Sequence, residues 1–155
     1  LDLGQIEVAA HPLTQFYGEV PPSWTVTGTR NAPADVTLQT YAGKWVVLVV
    51  WDASDPKSFT SLLPHLTKFY ESHAAQRDSF EIVALHGPAI GSFELLDEKA
   101  PKGTKPPSFP VLIDQAGDTA KAYGIETFPS LLLLDPEARL VRRGSLRTLE
   151  HTLRD

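Results

Sequence analysis

Four side chains have the types and positions from which chemistry can be written: Asp52, Asp55, Ser58 and His86. A serine beside an imidazole that a carboxylate orients is the arrangement used for nucleophilic acyl transfer. No nucleophile-elbow motif surrounds Ser58, so nothing local would activate its hydroxyl. Asp52, Asp55 and His86 also supply donor atoms for a cation, but their spacing matches no dedicated metal site. The sequence therefore calls for neither a metal nor a cofactor. Thiol chemistry is closed outright, because the 155 residues include no cysteine. A disulfide exchanger needs one thiolate to attack and a second thiol to resolve the mixed disulfide.

The elements that must position these residues are legible around them. Val46 to Trp51 is an unbroken apolar, mostly β-branched run, as expected of a strand buried on both faces of a parallel sheet. Asp55 followed by Pro56 is a helix start. The carboxylate can accept free N–H groups of the first turn, and proline at the first helical position loses no needed donor. A buried strand that runs into a helix N-terminus makes an anion-friendly point at the edge of a sheet. His86 ends a second apolar run, Phe80 to His86, which places it at the same edge if the two strands are parallel.

Composition bounds the rest. At 155 residues the chain is long enough for one domain with a substantial core. Its 42% apolar and 21% charged residues are those of an ordinary globular protein. A net charge of -5 offers no broad basic surface, so nucleic acid is not an expected partner. No apolar stretch reaches the length of a membrane span. The chain opens on Leu1 and holds no methionine, so it is expected to be a processed or trimmed piece of a longer product.

Taken in order, Asp2 to Val8 alternates as a short strand and Gly18 to Pro22 reads as a turn. Trp24 to Thr27 and Val36 to Leu38 read as an N-terminal β-hairpin across a loop at Gly28 to Ala34. After Pro56, Phe59, Leu62, Leu63, Leu66, Phe69, Tyr70 and Ala74 fall at helical spacing on one face, with Pro64 expected to kink the helix. Ser92 to Lys99 is a short helix, Lys102 to Pro110 a loop and Val111 to Ile113 a short strand ending at Asp114. Thr119 to Tyr123 is a helix closed by Gly124. Ser130 to Leu134 and Leu140 to Arg143 form a hairpin, and Thr148 to Arg154 a last helix. Strands alternating with helices, with the final pair antiparallel, predict a three-layer α/β fold on a mixed sheet. His65 and His73 have no acidic partner at metalloprotease spacing. Lys99, Lys102 and Lys105 read as a solvated stretch, and Trp24, Trp45 and Trp51 as core or sheet-edge aromatics.

Two stretches resemble the TlpA/ResA-like redoxins of the thioredoxin superfamily. Gly43-Lys44-Trp45-Val46-Val47-Leu48-Val49-Val50-Trp51 is similar to the strand that there runs into Trp-Cys-x-x-Cys. Tyr123-Gly124-Ile125-Glu126-Thr127-Phe128-Pro129-Ser130, with Leu134-Asp135-Pro136-Glu137-Ala138-Arg139-Leu140-Val141, is similar to the family's Tyr-Gly-Val-x-x-x-Pro-Thr and Ile-Asp-x-x-Gly-x-Ile-Val. The resemblance spans Gly18 to Asp155. It implies a thioredoxin-like α/β fold with an N-terminal β-hairpin extension, with residues 18–155 as the redoxin domain. Residues 1–17 are then an arm or the end of a preceding domain. It also implies a cis Phe128–Pro129 bond facing the old redox turn, with Thr127 and Phe128 exposing backbone to an extended partner. Ala138 stands where glycine is usual, a departure confined to a turn.

Counting from Gly43-Lys44, the cysteine positions fall on Asp55 and Ser58. Counting back from Pro64, they fall on Pro56 and Phe59, because the chain has one extra residue between. The first count is preferred, since a buried strand fixes register. The degenerate positions are then Asp55, Pro56, Lys57 and Ser58, and the surrounding groove Trp51, Asp52, His86, Thr127, Phe128 and Pro129. Asp55 reads either as a fixed anion in place of the thiolate or as a helix cap and nothing more. The expected function is non-catalytic: a cysteine-free, pseudoenzyme-like module of a larger bacterial protein, extracytoplasmic, that docks a protein or extended peptide beside Pro129. The alternative is a thiol:disulfide oxidoreductase family member whose active cysteines have been replaced.

Overall fold

The computed structural model describes residues 16–52, 57–86, 93–103, 107–114, 118–125 and 129–143. They contain six strands: β1 Val26–Arg30, β2 Trp45–Trp51, β3 Phe80–His86, β4 Val111–Asp114, β5 Ser130–Leu134 and β6 Leu140–Arg143. The α-helices are α1 Leu63–Ser72, α2 Phe93–Lys99 and α3 Asp118–Tyr123. All six strands join one mixed sheet in the order β1-β4-β3-β2-β5-β6. β2, β3 and β4 run parallel, whereas β1, β5 and β6 pair antiparallel to their neighbours. This is the thioredoxin-like α/β arrangement expected from the sequence.

The continuous apolar run of β2 has a direct cause. Val47, Val49 and Trp51 enter one core with Leu63, Leu66 and Tyr70 of α1 and with Phe80, Ile82 and Ala84 of β3. Val46, Leu48 and Val50 enter a second core with Ala120 and Tyr123 of α3, Leu85 of β3 and Leu132 and Leu134 of β5. A strand covered on both faces has no solvent side on which polar residues would alternate.

The N-terminal hairpin is corrected. The strand expected at Trp24–Thr27 forms instead at Val26–Arg30, taking in residues expected as loop, and it pairs with β4 at the sheet's far edge and not with Val36–Leu38. Val36 and Leu38 are buried, yet the chain there turns into a single 3-10 turn, Leu38–Tyr41. The Thr40 Oγ1 accepts the Thr37 N–H at 2.8 Å. Two plugs into one core, two residues apart, imitate the period of a strand.

The long helix also differs from expectation. It begins with a π turn over Ser58–Leu62, in which the Leu63 N–H reaches the Ser58 carbonyl. Pro64 is the second residue of α1, so the irregularity lies just before the proline and not as a kink in mid-helix. The wider turn is one of the standard ways a helix absorbs an extra residue. The helix stops at Ser72, and Ala74 is exposed in a separate 3-10 turn, Ala74–Gln76. Arg77 closes this end by donating to the Tyr70 carbonyl at 2.7 Å, its guanidinium 3.3 Å from the Tyr70 ring centroid. The expected strand at Asp2–Val8 and helix at Thr148–Arg154 lie outside the described residues.

Behind the sheet a polar clasp ties the N-terminal segment to α3. The Asp114 carboxylate, 2% exposed, accepts the N–H groups of Thr119 at 2.9 Å and Ala120 at 3.0 Å. The Thr25 N–H donates to Thr119 Oγ1 at 2.8 Å. Tyr123 donates its hydroxyl to the Pro22 carbonyl at 2.7 Å and accepts from Trp24 Nε1 at 3.2 Å.

Two turns set the ends of the sheet. Gly43 enters β2 at φ +95°, and its N–H bonds the Pro136 carbonyl at 2.7 Å. Between β5 and β6 the Asp135 carboxylate accepts from Glu137 and Arg139, and Ala138 sits at φ +65°. Alanine there retains the left-handed geometry that glycine adopts without strain.

Two outcomes follow from these features. Nothing lies within 4 Å of a Cβ built on Gly43, so Gly43→Ala pays only for its backbone angle. Urea unfolding should show a loss of about 1–2 kcal/mol; an unchanged midpoint would contradict the strained turn. Burial, with Glu81 nearby, pushes the Tyr41 and Tyr70 hydroxyls up from 10.0 to about 12, and burial raises Tyr123 as well. The unfolded chain releases these protons first, so their contribution is complete below pH 10 and falls as the pH rises toward 12. Unfolding measured across that window should show the decline, and Tyr41→Phe should make it shallower.

Candidate functional site

β2 and β3 run in the same direction and end together, with Trp51 directly opposite His86. The indole and imidazole meet edge-to-face, with ring centroids 4.8 Å apart and planes at 85°. Phe59 closes the other side of Trp51, also edge-to-face, at 5.9 Å and 84°. The sequence expectation that His86 shares the edge of the sheet with the end of β2 is met. Both residues nevertheless lie beneath the surface, Trp51 at 1% and His86 at 0% exposure. They support the edge and do not line an open groove. Among the described residues the buried indole N–H of Trp51 has no hydrogen-bond acceptor.

Past Trp51 the chain leaves the sheet at Asp52, which is half-buried, and returns at Lys57, which is exposed. Ser58 opens the π turn, 4% exposed, and donates its hydroxyl to the Asp52 backbone carbonyl at 2.7 Å. That bond spans the start and the end of the connection and fixes the entrance of the helix to the exit of the strand. It also directs the Ser58 proton to a carbonyl, whereas an activated serine gives its proton to a base. Asp55 and Pro56 lie outside the described residues. Among the described residues no group of three or more His, Asp or Glu side chains gathers as a metal site.

On the opposite flank, Pro129 is exposed and immediately precedes β5. Ser130 pairs with Val50, which sets Pro129 beside the end of β2. Thr127 and Phe128 lie outside the described residues. On its outer side β5 pairs with β6, Leu132 opposite Arg143 and Leu134 opposite Leu140. The surface contributed here by described residues is therefore Asp52, Lys57 and Pro129, over a buried floor of Trp51, Ser58, Phe59 and His86.

The other described histidines lie on α1 and just beyond its end. His65 is exposed on α1, and His73 stacks on Phe69 at 4.0 Å beyond the helix end, with Nδ1 3.0 Å from the Phe69 carbonyl. Lys99 ends α2, Lys102 is exposed, and Lys105 lies outside the described residues. Trp51 belongs to the core against α1 and Trp24 to the second core, and Trp45 is partly buried against the first. A feature not anticipated from sequence is a groove of 710 Å³ along α1, lined by Phe59, Leu63, Pro64, Thr67, Lys68 and Glu71. Its only sequence signal is Pro64 at the outward side of an otherwise regular amphipathic helix.

The Ser58 bond gives a direct test of how this edge is held. Ser58→Ala removes the bond from the buried Ser58 hydroxyl to the Asp52 carbonyl and should lower unfolding free energy by about 1 kcal/mol. Denaturant melts of the two proteins would measure it; equal stability would show the bond to be replaceable by water.

The fold is matched by solved structures. No curated protein matches the sequence directly. The thioredoxin domain of a thiol-disulfide oxidoreductase from Bacteroides vulgatus superposes with a TM-score of 0.66 at 24% identity, over 88% of this chain and 97% of that one. StoA from Bacillus subtilis superposes at 0.64 with 20% identity, covering 88% and 98% of the two chains. The exposed lipoprotein thioredoxin of Streptococcus pneumoniae gives 0.62 and 22% identity, over 77% and 90%. At these identities the likeness is one of fold. The family is carried by the sequence itself, for residues 18–143 match the AhpC/TSA family. The chain is thus a cysteine-free member of the AhpC/TSA family, with a thioredoxin-like fold.

Proposed function

We propose that this protein is a redox-inactive, thioredoxin-like redoxin domain that serves as a protein-binding or structural module of a larger, extracytoplasmic bacterial protein. Residues 18–155 would be the redoxin domain and residues 1–17 an arm or the end of a preceding domain. The observation that carries the reading is the pairing of a complete scaffold with a chain that has no cysteine. Exchange requires two thiols, and neither an aspartate nor an unactivated serine can form the mixed disulfide. What the scaffold retains is a place for main-chain docking. Pro129 stands exposed at the start of β5, beside the end of β2. An extended segment would add there as a strand, next to Thr127, Phe128 and a cis Phe128–Pro129 bond. Asp55 at the helix start would present a permanent anion where reactive relatives hold a thiolate. The extracytoplasmic setting draws on the exposed pneumococcal lipoprotein among its structural neighbours.

Ser58 supports a second reading, in which a working thiol:disulfide oxidoreductase has had its cysteines replaced. Serine is the closest shape to cysteine, and its hydroxyl is buried at the first turn of the helix. Asp55→Cys with Ser58→Cys would test this by disulfide exchange with a model thiol. A low-pKa thiol that turns over would favour recent loss of chemistry, and inert thiols a long-repurposed edge.

The module reading is tested by binding of an extended-peptide library to the intact chain, wild type beside Asp55→Lys. Saturable binding that the charge reversal weakens about tenfold or more, roughly 1.4 kcal/mol, is the expected result. Binding that ignores the substitution would move the docking surface elsewhere. No binding by either protein would leave Asp55 a helix cap and the domain a spacer.

A further inference from the structure

We draw no further inference here: the strongest candidate, the 710 Å³ groove along α1 between Phe59 and Glu71, is an apolar face with a mixed-charge rim, and nothing in the structure shows what covers it.

Discussion

Burial of β2 on both faces is the constraint from which the rest of the structure follows. Its residues from Val46 to Trp51 are at most 3% exposed, and alternate side chains belong to different cores. Sliding such a strand by one residue would exchange every side chain between two differently shaped cavities, so its register is fixed by packing. The neighbours inherit that register: β3 pairs with β2 along its whole length, and β5 pairs from Val46 to Val50. Because β2 and β3 are held in step, Trp51 and His86 end level with one another. The candidate site is in this sense a consequence of the core.

The same constraint explains how the edge can persist without the chemistry its relatives perform. A redox turn has to be held rigidly for a thiolate to form at a helix start. Here the holding is done by groups other than thiols. Phe59 packs on Trp51, Trp51 packs on His86, and the Ser58 hydroxyl ties the helix start to the Asp52 carbonyl. None of these contacts needs a cysteine or an oxidised state. The contacts that hold this edge are therefore independent of thiol chemistry.

Much of this was legible because each buried strand announces itself as an apolar run bounded by turn residues. β2, β3, β5 and β6 lie where the runs lie, and Gly124 closes α3 at φ +74° as its position suggests. The N-terminal region was misread for a physical reason. Val36 and Leu38 are buried as plugs on a 3-10 turn, and a two-residue spacing carries no record of which backbone produced it. β1 was found only in part, Gly28 to Arg30 having read as loop, and its partner, β4, lies more than 80 residues away in a pairing that local pattern cannot express. Position along this edge was legible, and depth was not. Trp51, Asp52, Ser58 and His86 do gather at one edge, but whether an aromatic or a histidine at a strand end is floor or surface depends on what packs over it. Phe59 does that here, and the π turn that delivers it has no sequence signature beyond an extra residue before Pro64.

Ala138 shows how a family fold tolerates a departure that its own geometry opposes. The turn between β5 and β6 holds this residue at φ +65°, a conformation that costs an alanine about 1 kcal/mol. Four bonds centred on Asp135 hold the turn nonetheless: its carboxylate accepts the N–H groups of Glu137 and Arg139, its carbonyl accepts the Ala138 N–H at 2.8 Å, and its own N–H donates to the Arg139 carbonyl at 3.0 Å. The Ala138 methyl is 5% exposed and packs in the core with Leu134 and Leu140, which recovers part of the strain. The Pro136 carbonyl of the same turn accepts the Gly43 N–H. The turn therefore also anchors the start of β2, at the end of the sheet remote from Trp51. Relaxing the angle at Ala138 would disturb the strand that sets the register of the whole sheet, so the strain is held by the element with most to lose from releasing it.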